Sequence, residues 1–89
     1  MAYESQALSV IAYSNGFTLW HYTTPDPASE VDTTGYFNEA AGLVRVGDMI
    51  LANTDTDSAL SSGILHVAAN DGVSVDVDDL TGVGGVNTD

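Results

Sequence analysis

GFTLWHYTTPDPASEVDTTGYFNEAAGLVRVGDMI, residues 16–50, contains most of the large side chains of this chain. It holds both phenylalanines, the single tryptophan, two of the four tyrosines and the one basic residue, Arg45. A small domain builds its core from its largest apolar side chains, because these remove the most surface from water. We therefore expect this stretch to form the centre of the fold, with the rest of the chain organised around it.

The chain has 89 residues, a length that predicts one domain. A chain of this size buries only a modest fraction of its surface, so its stability as an isolated monomer should be small. Small domains gain stability from disulfides, metals or oligomerisation. Since the sequence has no cysteine, disulfides and thiolate metal sites are excluded, and oligomerisation or docking onto a larger body is the leading means.

The charge is strongly one-sided, with 13 acidic residues, one basic residue and a net charge of −12. Proteins that bind nucleic acids or anionic membranes need lysine and arginine, so we predict no nucleic-acid partner and no membrane partner. The charge suits a salty medium or a basic partner, and a general role in solubility explains it equally well. The N-terminus lacks the pattern of a secretory signal, so we expect synthesis in a cytoplasm.

The first part of the chain predicts a hairpin. Residues 7–14 and Phe17–Thr23 both have strand composition, and Asn15-Gly16 between them is the strongest short hairpin signal. The alternative is an N-terminal arm that lies on a neighbouring subunit. Bulky side chains occupy both faces of Phe17–Thr23, so we expect this strand to be central and covered on both sides.

Two short helical turns are expected next. Pro25 and Pro27 end the strand, and Asp26 is a candidate N-cap for a turn over Ala28–Val31. A second helix is expected within residues 35–46, with Asn38 as its cap. The inward residues of this helix would be Phe37, Ala41 and Val44. Gly47 and Asp48 then form a tight turn into the next strand.

The last part predicts a β-meander over residues 49–54, 63–70 and 73–77, with an exposed acidic loop over residues 55–62 and a two-residue turn at Asp71-Gly72. Val73, Val75 and Val77 would point inward. The division of the chain is residues 1–16 as an arm or first hairpin strand, 17–80 as the β core and 81–89 as a flexible tail. The fold class is mainly β, a small antiparallel sandwich or barrel-like domain with one or two short helical turns and extended termini.

No residue pattern predicts catalysis or a cofactor. His21 and His66 are the only histidines, and ordinary strand positions explain both. The acidic clusters at residues 55–57 and 76–79 lack the spacing of a calcium-binding loop, so they are expected to be solvated surface. We predict a protein that is not an enzyme and that holds no metal.

The spacing of residues 20–50 resembles a family of small capsid decoration proteins of tailed bacteriophages, also called cement or head-fibre-like proteins. The shared pattern is an aromatic W-x-Y strand, an acidic residue, a G-Y-F-N turn and an L-x-x-G-D-x-I entry into a strand. The matching positions are Trp20, Tyr22, Asp26, Gly35, Tyr36, Phe37, Asn38, Leu43, Gly47, Asp48 and Ile50.

The resemblance implies a trimer on the outer surface of the virion capsid, made in the host cytoplasm, that binds the major capsid protein and braces its neighbouring subunits. It implies that the motif residues act in the core and at subunit contacts. Arg45 joins them because a single cation among 13 acids should pair with a carboxylate, within the chain or across an interface. The structural and interface residues expected are therefore Trp20, Tyr22, Asp26, Tyr36, Phe37, Asn38, Arg45, Gly47 and Asp48.

Two other functions remain open on the sequence. A phage fibre, spike or receptor-binding module would use the exposed loop at residues 55–62 to contact its partner. An acidic mimic of nucleic acid would occupy a basic host protein, which the net charge of −12 allows.

Overall fold

A computed structural model describes residues 3–84 of the chain, and these residues contain six strands and three short helical segments. The strands are β1 (Leu8–Ser14), β2 (Phe17–Thr23), β3 (Met49–Thr54), β4 (Ser61–Asn70), β5 (Val75–Val77) and β6 (Thr81–Gly82). The helical segments are α1 (Ala28–Val31) and 3₁₀ turns at Ser5–Ala7 and Asn38–Ala40. The prediction of a mainly β domain with short helical turns is confirmed.

The strands form one mixed sheet in the order β1-β2-β3-β4-β5, and β6 also pairs with β4. All neighbours are antiparallel except β2 and β3, which run parallel. Consecutive parallel strands need a long crossover, because the chain must return to the end at which the first strand began. Residues 24–48, which we call the crossover, make this return. The sheet is therefore not wholly antiparallel, in contrast to the arrangement expected from the sequence.

The predicted β1–β2 hairpin is confirmed. Asn15 and Gly16 have φ values of 50° and 81°, as a two-residue turn with two left-handed positions requires. The pairing runs from Leu8 opposite Tyr22 to Ser14 opposite Phe17, with a bulge at Ile11. The first strand therefore pairs within its own chain, and the alternative of a free N-terminal arm is not adopted.

The core lies between one face of the sheet and the crossover. Thr18, Trp20 and Tyr22 alternate along the buried face of β2, and β3, β4 and β5 bury the matching positions of their own faces. The crossover and the N-terminal segment contribute Tyr3, Val31, Phe37, Ala40 and Val44. The expectation that residues 16–50 would form the centre is largely met, although Tyr3 packs there from outside that stretch.

The opposite face of β2 is not covered, contrary to prediction. Phe17, Leu19 and His21 are only partly buried, and no layer of the described residues packs on them. The physical reason is that the crossover is the one long connection of the described chain, and a single crossover can cover only one face of a sheet.

The helical predictions are met in part. The turn at Ala28–Val31 is confirmed, but Pro27 rather than Asp26 occupies the N-cap position. The helix expected within residues 35–46 is reduced to a 3₁₀ turn at Asn38–Ala40, which has no side-chain cap. Phe37 and Val44 are buried as expected.

The end of the chain differs from the prediction at two places. Val73 is 77% exposed, because Asp71 accepts hydrogen bonds from the amides of Val73 and Ser74 and so holds residues 71–74 in a wider loop. Val75 and Val77 point inward as predicted. The first residues of the expected tail form β6 on β4. Residues 85–89 of that tail lie outside the described part of the chain.

The approach of β6 to β4 gives a first prediction. A Cβ on Gly63 would collide with the Thr81 carbonyl oxygen and lie 2.8 Å from Leu80 Cγ. Gly63→Ala should therefore displace β6 and lower the free energy of unfolding by about 1–3 kcal/mol, measured by urea denaturation. Gly82→Ala is the matched control, since Gly82 is the register partner of Gly63 and a Cβ there meets nothing within 4 Å. Equal stability of the two variants would contradict the prediction.

Candidate functional site

The motif residues gather in two buried hydrogen-bonded clusters that fasten the crossover to the sheet. The first is centred on Asp48, which is 1% exposed. Its Oδ1 accepts from the Thr18 amide at 3.1 Å, and its Oδ2 accepts from Trp20 Nε1 and from the Arg45 amide, each at 3.0 Å. One carboxylate thus joins the last turn of the crossover to two residues of β2.

The turn at the end of the crossover holds this carboxylate in position. The Asp48 amide donates to the Arg45 carbonyl at 2.9 Å, while the Asp48 carboxylate accepts from the Arg45 amide. Gly47 has a φ of 96°, a conformation that favours glycine. A buried carboxylate with three donors is well solvated by the protein, so its charge can remain inside the core.

The second cluster runs from Asp26 to the N-terminal segment. The Tyr36 hydroxyl donates to Asp26 Oδ2 at 2.7 Å and lies 2.9 Å from the Tyr22 hydroxyl. Since the Tyr36 hydrogen points to Asp26, Tyr22 is the donor to Tyr36. The Tyr22 oxygen then accepts from the Glu4 amide at 3.0 Å. This relay joins the N-terminal segment, β2 and the crossover.

The rings of the two relay tyrosines pack with those of Tyr3 and Phe37. Tyr3 stacks on Tyr22 with centroids 5.7 Å apart, and Phe37 packs edge-on against Tyr22 at 5.2 Å and against Tyr36 at 5.0 Å. The aromatic motif residues Tyr22, Tyr36 and Phe37 therefore lie together, whereas Trp20 donates to Asp48 in the first cluster. Sequence reasoning missed Tyr3, because it stands alone in a polar segment with no periodic neighbours.

The side chains of Asn38 and Arg45 lie outside these clusters. Asn38 reaches β5, where its Oδ1 accepts from the Val75 amide at 2.8 Å. Arg45 is exposed, and no ion pair joins its side chain to another residue within 3–84. Its expected interface role therefore stays a prediction.

The two histidines and the acidic clusters do not converge. His66 Nδ1 lies 3.0 Å from Asp78 Oδ2 at the surface, and His21 Nε2 lies 3.3 Å from the Thr23 hydroxyl. Within the described ranges, no three side chains of the metal-binding types come together.

Both histidines belong to a surface that the register defines, the uncovered side of strands β1 to β4, which we call the outer face. Residues opposite each other in neighbouring strands point to the same side. The outer face consists of Ser9, Ala12, Ser14, Phe17, Leu19, His21, Thr23, Met49, Leu51, Asn53, Ser62, Ile64 and His66. None of these residues is acidic, although the chain has 13 acids.

The centre of the outer face is apolar and slightly concave. Leu19, Leu51 and Ile64 are partly buried there, and an open groove of about 270 Å³ runs beside His21, Leu51 and Val83. The alternation of residues in β2 to β4 predicts these side chains one strand at a time. Only the pairing register of the strands shows that these side chains form one face with no acidic member.

The comparison of the chain with protein-family models, curated proteins and solved structures found no match. Among residues 3–84, no helix is long and apolar enough to cross a membrane.

The Asp48 cluster gives a second prediction. Asp48→Ala leaves the Thr18 amide, the Trp20 indole and the Arg45 amide without their buried acceptor. The free energy of unfolding should fall by about 3 kcal/mol or more, measured by denaturation followed through Trp20 fluorescence. Asp57→Ala removes the same charge from the exposed loop and should leave stability nearly unchanged. Similar losses in the two variants would contradict a special role for Asp48.

The relay gives a third prediction. Burial, followed by the hydrogen bonds to Tyr22 and Asp26, raises the pKa of Tyr36 above its ordinary value of 10.0. The unfolded chain loses this proton near pH 10 while the folded chain keeps it, so stability is full below pH 10 and falls as the pH rises above it. Tyr36→Phe should make this alkaline decline shallower and lower stability at neutral pH by about 1 kcal/mol. Tyr13→Phe, on exposed β1, serves as the control. An alkaline decline that Tyr36→Phe leaves unchanged would refute the prediction.

Proposed function

We propose that this protein is a structural component of a phage virion, a capsid decoration protein that binds the outer surface of the head. Its partner would be the major capsid protein, whose neighbouring subunits it braces, and it would act without catalysis. The homotrimer implied by the resemblance belongs to the same proposal. The observation that carries the proposal is the outer face, a sheet surface with an apolar centre and no acidic residue of its own, on a protein of net charge −12.

The apolar centre of the outer face fits contact with protein better than contact with water. A sheet with one wet face normally alternates apolar and polar residues, and a parallel pair is normally covered on both faces. Here Phe17, Leu19 and Leu51 stand on the uncovered side of the parallel pair β2–β3. A partner seated there would supply the second layer that the described chain does not.

The size of the outer face suits a modest docking surface. Four strands spaced about 4.8 Å apart and about six residues long span roughly 20 by 20 Å. Burial of apolar surface contributes about 25 cal/mol per Å², so even a few hundred Å² favours association by several kcal/mol before the costs of ordering. Many copies of a decoration protein bind one capsid shell, and each copy stabilises the capsid contact at which it binds. The stabilisation of the shell therefore grows with the number of bound copies.

The distribution of charge supports one orientation of docking. Among residues 3–84, the acids that are not buried lie on the N-terminal segment, the loops, the crossover and the edge near β5, and Asp78 meets the outer face only at its margin, beside His66. Desolvating a carboxylate at an interface is costly, so a face without acids is the side on which contact costs least. The exposed acids stay hydrated and keep free copies soluble.

The experiment is co-sedimentation of the purified chain with empty phage-like capsids. We expect saturable binding by the wild type and binding at least about tenfold weaker for Met49→Glu, a change equivalent to about 1.4 kcal/mol. Met49 lies on the outer face and is 39% exposed, so the substitution adds a carboxylate at the contact with little effect on folding.

Leu60→Glu is the matched control, because it adds the same charge at a residue that is 62% exposed in the acidic loop. It should bind as the wild type does. A chain that leaves all capsids unbound would refute the decoration proposal and favour a fibre-linked or host-directed role. Binding that is weakened equally by both variants would show that charge, and not the outer face, decides.

A further inference from the structure

We propose that β1 pairs with β1 of a second copy of this chain across a two-fold axis, so that two sheets join into one. The contact uses the edge of the sheet rather than its outer face. Three features of the molecule support it: the exposure of β1, its lack of charge and the scarcity of free backbone at the opposite edge.

The edge formed by β1 is open. β1 ends the strand order, and within residues 3–84 only β2 pairs with it. Six of its seven residues are exposed. Val10, Ile11 and Tyr13 are 55%, 51% and 62% exposed, so large apolar side chains flank a row of backbone groups that lack a strand partner on that side.

Two of the three usual protections of an edge strand are absent from β1. Proteins discourage edge pairing with charges, proline or bulges. Residues 5–24 contain no charged residue and no proline, although the chain has 13 acids. The third protection, a bulge, is present at Ile11 and divides the strand into two segments. It therefore restricts the registers that a second strand can adopt.

The electrostatics select a second copy as the occupant. Two copies of net charge −12 repel each other over most of their surfaces. The β1–β2 hairpin is a continuous neutral segment, so two copies can meet at its edge without bringing carboxylates together. A basic partner would instead be drawn to the acidic surfaces elsewhere.

The opposite edge of the sheet offers little free backbone, which determines the symmetry. The Gly35 amide donates to the Val75 carbonyl at 3.0 Å, and the Asn38 side chain accepts from the Val75 amide at 2.8 Å. The crossover thus occupies the outward backbone groups of Val75, and the other strand on this side of β4, β6, has only two residues. Since β1 of one copy finds no long free strand at this edge of another, it pairs with its own equivalent, which gives an isologous two-fold contact.

The expected affinity is modest. A seven-residue strand is about 24 Å long, and pairing two such strands buries an area at the low end for specific interfaces. Association should therefore depend on protein concentration, and it should strengthen with salt because salt screens the repulsion between copies. The outer face remains free in such a pair, so a three-fold assembly through other surfaces is compatible with it.

The test is the solution mass of the full chain by sedimentation equilibrium, at rising protein concentration and at low and high salt. At high concentration the wild type should reach an even multiple of 9.2 kDa. Ile11→Lys should halve that mass, since it places a charge on the paired edge. Val73→Lys, which makes the same charge change at an exposed loop residue, should leave the mass unchanged.

Hydrogen exchange gives a second measurement. The outward amides of β1 should be protected in the wild type at high concentration and should lose this protection on dilution, while those of β2 keep theirs. Trp20 fluorescence verifies that each variant is folded, and Tyr13→Lys replaces Ile11→Lys if the bulge does not tolerate lysine. A wild-type mass that stays at one or three copies at every concentration overturns the proposal. An unchanged mass in a folded β1 variant overturns it as well.

Discussion

The parallel pairing of β2 and β3 is the constraint from which the rest of the structure follows. A chain that leaves the end of β2 can enter β3 in the same direction only after crossing back over the sheet. The crossover therefore covers one face and forms the core there, and the described chain has no second long connection for the other face. The buried core, the anchors of the crossover and the bare outer face are three consequences of one topological choice.

A crossover with little regular structure needs anchors, and two carboxylates provide them. The crossover contains one four-residue helix and one 3₁₀ turn, and its internal backbone hydrogen bonds close local turns without fixing the crossover against the sheet. Asp48 fixes its end to β2, and Asp26 joins the relay of tyrosine hydroxyls near its start. Fully bonded polar groups in a core select one arrangement, because any other leaves a buried charge without donors.

The same topology divides the molecule into a neutral region and an acidic region. The strands contribute the neutral outer face and the neutral hairpin, while most acids lie in the loops, the crossover and the β5 edge. Repulsion between acidic regions leaves few ways for two molecules to approach. A small protein organised like this is suited to assembly on a surface, where a limited set of contacts must form in a defined orientation.

The sequence by itself determined the strands Phe17–Thr23 and Met49–Thr54, the hairpin at Asn15-Gly16 and the short turn at Ala28–Val31, because alternation, left-handed turn residues and proline act over a few neighbours. It also indicated the aromatic residues of the core by their size. It failed where distant partners decide. The parallel pairing of β2 with β3 depends on contacts across a crossover, and local pattern does not encode strand direction. Asp26 has the sequence position of a helix cap, but its carboxylate accepts a hydrogen bond from the hydroxyl of Tyr36, ten residues along the chain. Only the tertiary structure could show that the outward positions of four strands form one face without acids, since strand register, and not residue order, brings them side by side.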